Sequence, residues 1–149
     1  MVEKISWLLR ISTVVLLAFW SAVHIAHAQS AVTPQDEAAV RQVIEDQLQA
    51  FSTGDHERAY SHASPGIRQI FPNVDSFIDM VRNGYGAIYQ SQAHAFGRNL
   101  MVGGEIHQEV IITGPDGKQW QAVYTLARQA DGNWQITGVK MNPFKALST

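Results

Sequence analysis

The apolar positions of this chain keep two different periods. Val40, Val43, Ile44, Leu48 and Phe51 fall at i, i+3, i+4, i+8 and i+11, the single stripe of an amphipathic helix. Thr33 as N-cap, Pro34 in the first helical position and Asp36 and Glu37 in the first turn mark its start, and Gly54 marks its end. Asp55 then caps a second, short helix that Pro65 terminates. Asn73 caps a third, where Val74, Phe77, Ile78, Val81 and Tyr85 repeat the helical spacing and Gly84 lies near the end.

Beyond Tyr89 the period drops to two. "QAHAFGRNL" reads as a weak strand, and Gly103-Gly104 as the turn that follows it. "EIHQEVIIT" and "KQWQAVYTLARQ" are stronger strands joined by the turn "GPDG", and "ADGN" leads into a last strand, "NWQITGVKM". Helices first and a four-stranded antiparallel meander afterwards make an α+β domain, its helices packed on one face of the sheet.

A long amphipathic helix ending in "AFSTGD", a short second helix and a final hairpin "DGNWQITGVKM" resemble the nuclear transport factor 2-like superfamily, the cystatin-like cone. The likeness spans nearly all of the chain after residue 28. More closely, "FIDMVRNGYGAIY", "GPDGKQWQAVYTL" and "DGNWQITG" are similar to an exported bacterial family catalogued only as a domain of unknown function. The resemblance implies three helices on a curved four-stranded sheet. It implies no activity, because that scaffold carries isomerases, hydrolases, dehydratases, transport factors and non-catalytic subunits.

The first residues change the picture of where the chain goes. Lys4 and Arg10 precede the apolar run Ile11 to Val23, and "AHA" at Ala26 to Ala28 puts small residues before Gln29. That order predicts a secretory signal peptide over residues 1–28, cleaved after Ala28, and one periplasmic domain over residues 29–149. Membrane attachment is expected only if this leader stays uncleaved. Losing it removes one net positive charge from a chain of formal charge −2, which leaves no electrostatic footprint for nucleic acid. The absence of cysteine excludes disulfides, thiolate catalysis and thiolate-bound metal.

Candidate chemistry begins at "GDHERAYSHASP", residues 54–65. On a helix His56, Ala59, Tyr60 and Ala63 share one face, so His56 and Tyr60 turn towards the core. His62 stands about 120° from His56 around the axis, so the pair cannot grip one metal ion, and no cofactor is expected. In "EIHQEVIIT" the apolar face carries Ile106, Gln108, Val110 and Ile112, which turns Glu105, His107 and Glu109 outward. Asp79 lies opposite the apolar stripe of its helix. No carboxylate is left inside, whereas steroid-isomerase-like relatives use an interior carboxylate base. The aspartate pair bridged by arginine of epoxide-hydrolase-like relatives has no visible counterpart.

What the pattern does send inward is aromatic and uncharged. Trp120, Ala122, Tyr124 and Leu126 share a face, as do Trp134 and Ile136, and Tyr85 and Tyr89 sit at the exit of the third helix. His56, Tyr60, Tyr85, Tyr89, Gln108, Trp120 and Tyr124 are therefore the candidate pocket. Arg68, Arg82 and Arg98 are the weaker candidates for an anionic ligand, and His94 and His107 cannot be paired without a strand register. Three roles fit these residues: a binding module for a small, partly apolar ligand or a partner protein; an enzyme pairing His56 with Tyr60 or Tyr124; and a subunit dimerising through its sheet, with Ile111, Val123 and Val139 facing outward.

Overall fold

The computed structural model describes residues 31–145, so the expected leader and its cleavage site lie outside the described residues. Helix α1 spans Pro34–Thr53, with the Thr33 hydroxyl accepting from the Asp36 amide at its start. Gly54 closes it at φ 72°, and the Asp55 amide reaches back to the Ala50 carbonyl, so the chain reverses sharply into α2, His56–Ser61. Asp55 and Asn73 cap α2 and α4 (Val74–Gly84) as their sequence positions predict.

Two short helices add to the three expected. Pro65 begins a helix instead of only ending one: Ser64 caps α3, Pro65–Ile70, and Pro65 takes the first position, where its missing N–H costs nothing. A single turn, α5 (Gly86–Tyr89), follows α4. No helix among the described residues is long and apolar enough to cross a membrane.

The strands β1 (Ala93–Val102), β2 (Glu105–Thr113), β3 (Gln119–Arg128) and β4 (Trp134–Pro143) form one antiparallel sheet in the order β1-β2-β3-β4. Gly103 and Gly104, both at positive φ, make the tight β1–β2 reversal that side chains would strain. The helices cover one face. Val40, Ile44, Leu48 and Phe51 of α1 and Phe77, Ile78 and Val81 of α4 are buried against Ile106, Val110, Ile112, Tyr124, Leu126 and Ile136. The strand alternation is as expected on β2 and β3, with Gln108 and Tyr124 fully buried and Glu105, His107 and Glu109 on the opposite face.

On β4 the alternation changes midway. Leu126 pairs with Ile136 and Thr125 with Gly138, so Thr137 is an extra residue, a β-bulge. Val139 therefore faces the same way as its partner Tyr124 and packs on the core, correcting the outward placement expected from unbroken alternation. A second irregularity sets Gly97 and Arg98 of β1 against the single residue Glu109. Between the two bulges one row crosses the whole sheet on its inner face: Asn99, Gln108, Tyr124 and Val139.

Candidate functional site

Where the helices part from the sheet, beside the β4 bulge, lies a partly open cavity of about 320 Å³. Phe51 of α1, Ile67 of α3, Phe77, Met80 and Val81 of α4 and Ile88 of α5 face Ile136 and Val139 of β4 across it. None of its lining residues carries a formal charge. Four are polar. Gln47 donates its amide to the Ala59 carbonyl at 3.1 Å, and the Tyr85 hydroxyl donates to the Val139 carbonyl at 3.2 Å. Thr137 turns its hydroxyl to Glu105 Oε1 at 2.9 Å. The fourth, Tyr124, is fully buried, and its hydroxyl has no hydrogen-bond partner among the described residues. Burial alone raises its pKa well above the ordinary phenol value, so it stays neutral and able to donate.

The structure divides the seven residues singled out from sequence. Tyr85 and Tyr124 line the cavity. Gln108 is Tyr124's direct neighbour on β2, but its amide nitrogen serves the β1 bulge, donating to the carbonyls of Gly97 (3.1 Å), Arg98 (3.3 Å) and Glu109 (2.9 Å). Its Oε1 is buried without a partner among the described residues. Trp120 packs at the start of β3, away from the cavity wall. His56 and Tyr60 border a separate surface groove with Asp55, Glu57 and Asp75.

The pairing of His56 with Tyr60 or Tyr124 is corrected accordingly. His56 Nε2 sits 3.0 Å from the hydroxyl of Tyr89, which also accepts from Arg82 Nη2 at 2.9 Å. Tyr60 donates to the Phe71 carbonyl at 2.7 Å. The cause is the early end of α2: the helix is one and a half turns long, and Tyr60 closes it against the α3–α4 connection while His56 meets α5. Of the arginines, Arg68 holds the carbonyls of Ala63 and Ser61, and Arg98 is 93 % exposed beside Glu109. His94 and His107 are not register partners; they face Ile112 and Leu100.

One cluster lies outside the residues singled out from sequence. Asp46 of α1 accepts from Arg58 through both carboxylate oxygens, one of them at 2.9 Å from Nε, and lies 2.5 Å from His62 Nε2. Asp46 and His62 border a groove shared with Trp134 and Gln135. The signal was available: Asp46 and His62 stand equally far along the chain from Gly54, where α1 reverses into α2. The Arg58 hydrogen bond, and then the His62 one, hold Asp46's carboxyl down at about 2, against 3.8 ordinarily. A lowered folded-state pKa stabilises the protein above pH 4, and that contribution is lost as pH falls towards 2. Asp46→Asn is expected to lower stability by about 1 kcal/mol at neutral pH, after allowance for solvent screening, and to flatten the acid limb between pH 4 and 2. Urea unfolding across that range checks it: an acid limb as steep as the parent's would remove Asp46 from the account.

The whole arrangement has relatives. A solved structure described as a nuclear transport factor 2-like protein of unknown function, from Shewanella baltica OS155, superposes with a TM-score of 0.52 at 14 % identity, over 75 % of this chain and 96 % of that one. At that identity the likeness shows the fold, a nuclear transport factor 2-like α+β architecture, and nothing about the site. No curated protein matches the chain. The family described as Domain of unknown function (DUF4864) matches residues 33–149, every element from the Thr33 cap to the end of the sheet, and the chain belongs to that family.

Proposed function

We propose that this protein is a binding module that takes up a small, largely apolar molecule between its helices and the β4 bulge. The observation that carries this reading is the cavity of about 320 Å³ with an uncharged, mostly aliphatic and aromatic wall. Sites of this size and lining hold small ligands by burying apolar surface, with a few polar groups fixing orientation. Among the described residues the wall offers no carboxylate, imidazole or amine to move a proton, which favours binding over turnover. The leader pattern of residues 1–28 supports an exported, periplasmic setting, and mass spectrometry of the exported protein tests it: an intact Met1 terminus would sink cleavage.

Nile red, an uncharged apolar dye, is the probe for the cavity. The wild-type protein is expected to enhance and blue-shift its emission at stoichiometric ratio. Met80→Trp, which places an indole at the half-buried edge of the cavity, is expected to abolish this while shifting the melting temperature little. No enhancement by the wild type, or full enhancement by Met80→Trp, would remove the binding reading.

A further inference from the structure

We infer that the guest of this cavity is a small, uncharged, flat aromatic ring system, which the wall selects over an aliphatic molecule of similar size. The inference rests on the binding reading above and goes on to the class of ligand.

Three observations carry it. The first is the make-up of the accessible wall. Three of the chain's six phenylalanines, Phe51, Phe71 and Phe77, line the cavity together with Tyr85. Phe71 and Tyr85 are half-buried, and Phe51 and Phe77 each keep 4 % of their surface exposed; Tyr124 lies deeper and is closed off. The thioether of Met80, in the same wall, is a soft group that suits a ring edge. Rings meet one another in offset or edge-on contacts that add to simple burial, and a saturated guest forgoes them.

The second observation is that these rings are held. Phe51 and Phe77 lie 22° from parallel, their centroids 6.4 Å apart. Outside the lining, Tyr89 packs on Phe51 at 5.6 Å and Tyr60 on Phe77 at 5.3 Å. Each of these outer rings is tied in turn, Tyr89 through its hydroxyl to His56 and Arg82, and Tyr60 to the Phe71 carbonyl. An anchored outer layer leaves the inner rings little freedom to turn, so the wall is fitted before a guest arrives. A rigid guest enters such a wall without losing internal rotations, whereas an open chain loses several.

The third observation concerns the polar groups. Gln47, Tyr85 and Thr137 each donate within the protein, and the Tyr124 hydroxyl oxygen is itself buried. No lining residue carries a formal charge to hold an ion. Selection therefore falls to the apolar surface, and about 320 Å³ leaves room for two fused rings. The competing account is that the rings only fill the core. Guests would then rank by how readily they leave water, which puts saturated hydrocarbons ahead of aromatic ones.

Displacement of Nile red from the wild type by naphthalene, decalin and undecane separates the two accounts. Decalin is the saturated form of the naphthalene skeleton, and undecane is an open chain of similar carbon number. Naphthalene is expected to bind roughly tenfold more tightly than decalin, the effect of one or two ring contacts, with undecane weaker still. Phe71→Leu, at the half-buried rim, is expected to weaken naphthalene severalfold and leave decalin unchanged. Decalin or undecane binding as tightly as naphthalene would overturn the proposal, and so would a Phe71→Leu protein that treats naphthalene and decalin alike. Should that variant not fold, the ranking on the wild type decides alone. Failure of all three to displace a dye that does bind overturns the proposal as well. Failure of Nile red itself to bind the wild type is a different result, and it removes the binding reading instead.

Discussion

Tyr124→Ala is expected to destabilise the protein by about 3–5 kcal/mol, the range for removing a buried aromatic side chain. Tyr124 is the largest fully buried residue, lies in the centre of the four-strand row and forms part of the cavity wall. Deleting its ring merges a new void with space already present, so the neighbours cannot collapse to fill it. Destabilisation of that size takes a large share of the stability of a small domain. The contrast with Tyr124→Phe is the informative part, because the two variants divide the residue into its ring and its hydroxyl. The ring is buried and the hydroxyl has no partner among the described residues, so the ring is expected to carry the stability. Chemical denaturation of both variants checks this, and undecane gives a further control: it should recover part of the loss in Tyr124→Ala by occupying the void. A clear loss in Tyr124→Phe would mean the hydroxyl is bonded in the free protein.

Gln108→Leu is expected to cost about 1–3 kcal/mol, for a reason opposite in kind. The change keeps the volume of the side chain and deletes a polar atom with no partner, Oε1, which by itself is favourable. It also removes the amide nitrogen that gathers the carbonyls of Gly97, Arg98 and Glu109 where β1 carries its extra residue. Backbone groups at a bulge have lost their ladder partners, so this side chain substitutes for them. The loss should be local. Hydrogen exchange at Gly97, Arg98 and Asn99 is expected to accelerate, while the amides of β3 keep their protection. Combining Gln108→Leu with Tyr124→Phe should leave its cost unchanged, because the two side chains share no hydrogen bond. An undisturbed β1 edge in Gln108→Leu would show that the bulge holds itself.

The strand faces and the three main helices follow from the sequence because each is over-determined by repetition. Ile106, Val110 and Ile112 leave Gln108 only one side on which to lie, and Phe77, Ile78 and Val81 do the same for α4. Caps were equally legible at Thr33, Asp55 and Asn73, since one side chain and one nearby amide settle each. Position along a strand is different. Where Thr137 and Gly97 slip out of the ladder depends on how four strands fit over the helices, and no local residue pattern states it; Val139 was misplaced for that reason. Pro65 shows a third kind of limit. The same proline both bars a helix from continuing and starts one well, so Ser64 before it was the decisive residue. The candidate site was half visible. Tyr85 and Tyr124 came from the aromatic pattern, but the cavity is a gap, and gaps arise from the way elements fail to meet.

The extra residue in β4 has a consequence for how this family's sequences can vary. Thr137 inverts the parity of every position after it: even-numbered residues face the core up to Ile136, and odd-numbered ones, Val139 and Met141, do so afterwards. Length is therefore free to change by one residue at this point. A chain lacking that one residue would run Ile136, Gly138 and Val139 against Leu126, Thr125 and Tyr124 in an unbroken ladder with the same interior, so Thr137 marks where a single codon is lost or gained without turning Val139 and Met141 to the outer face.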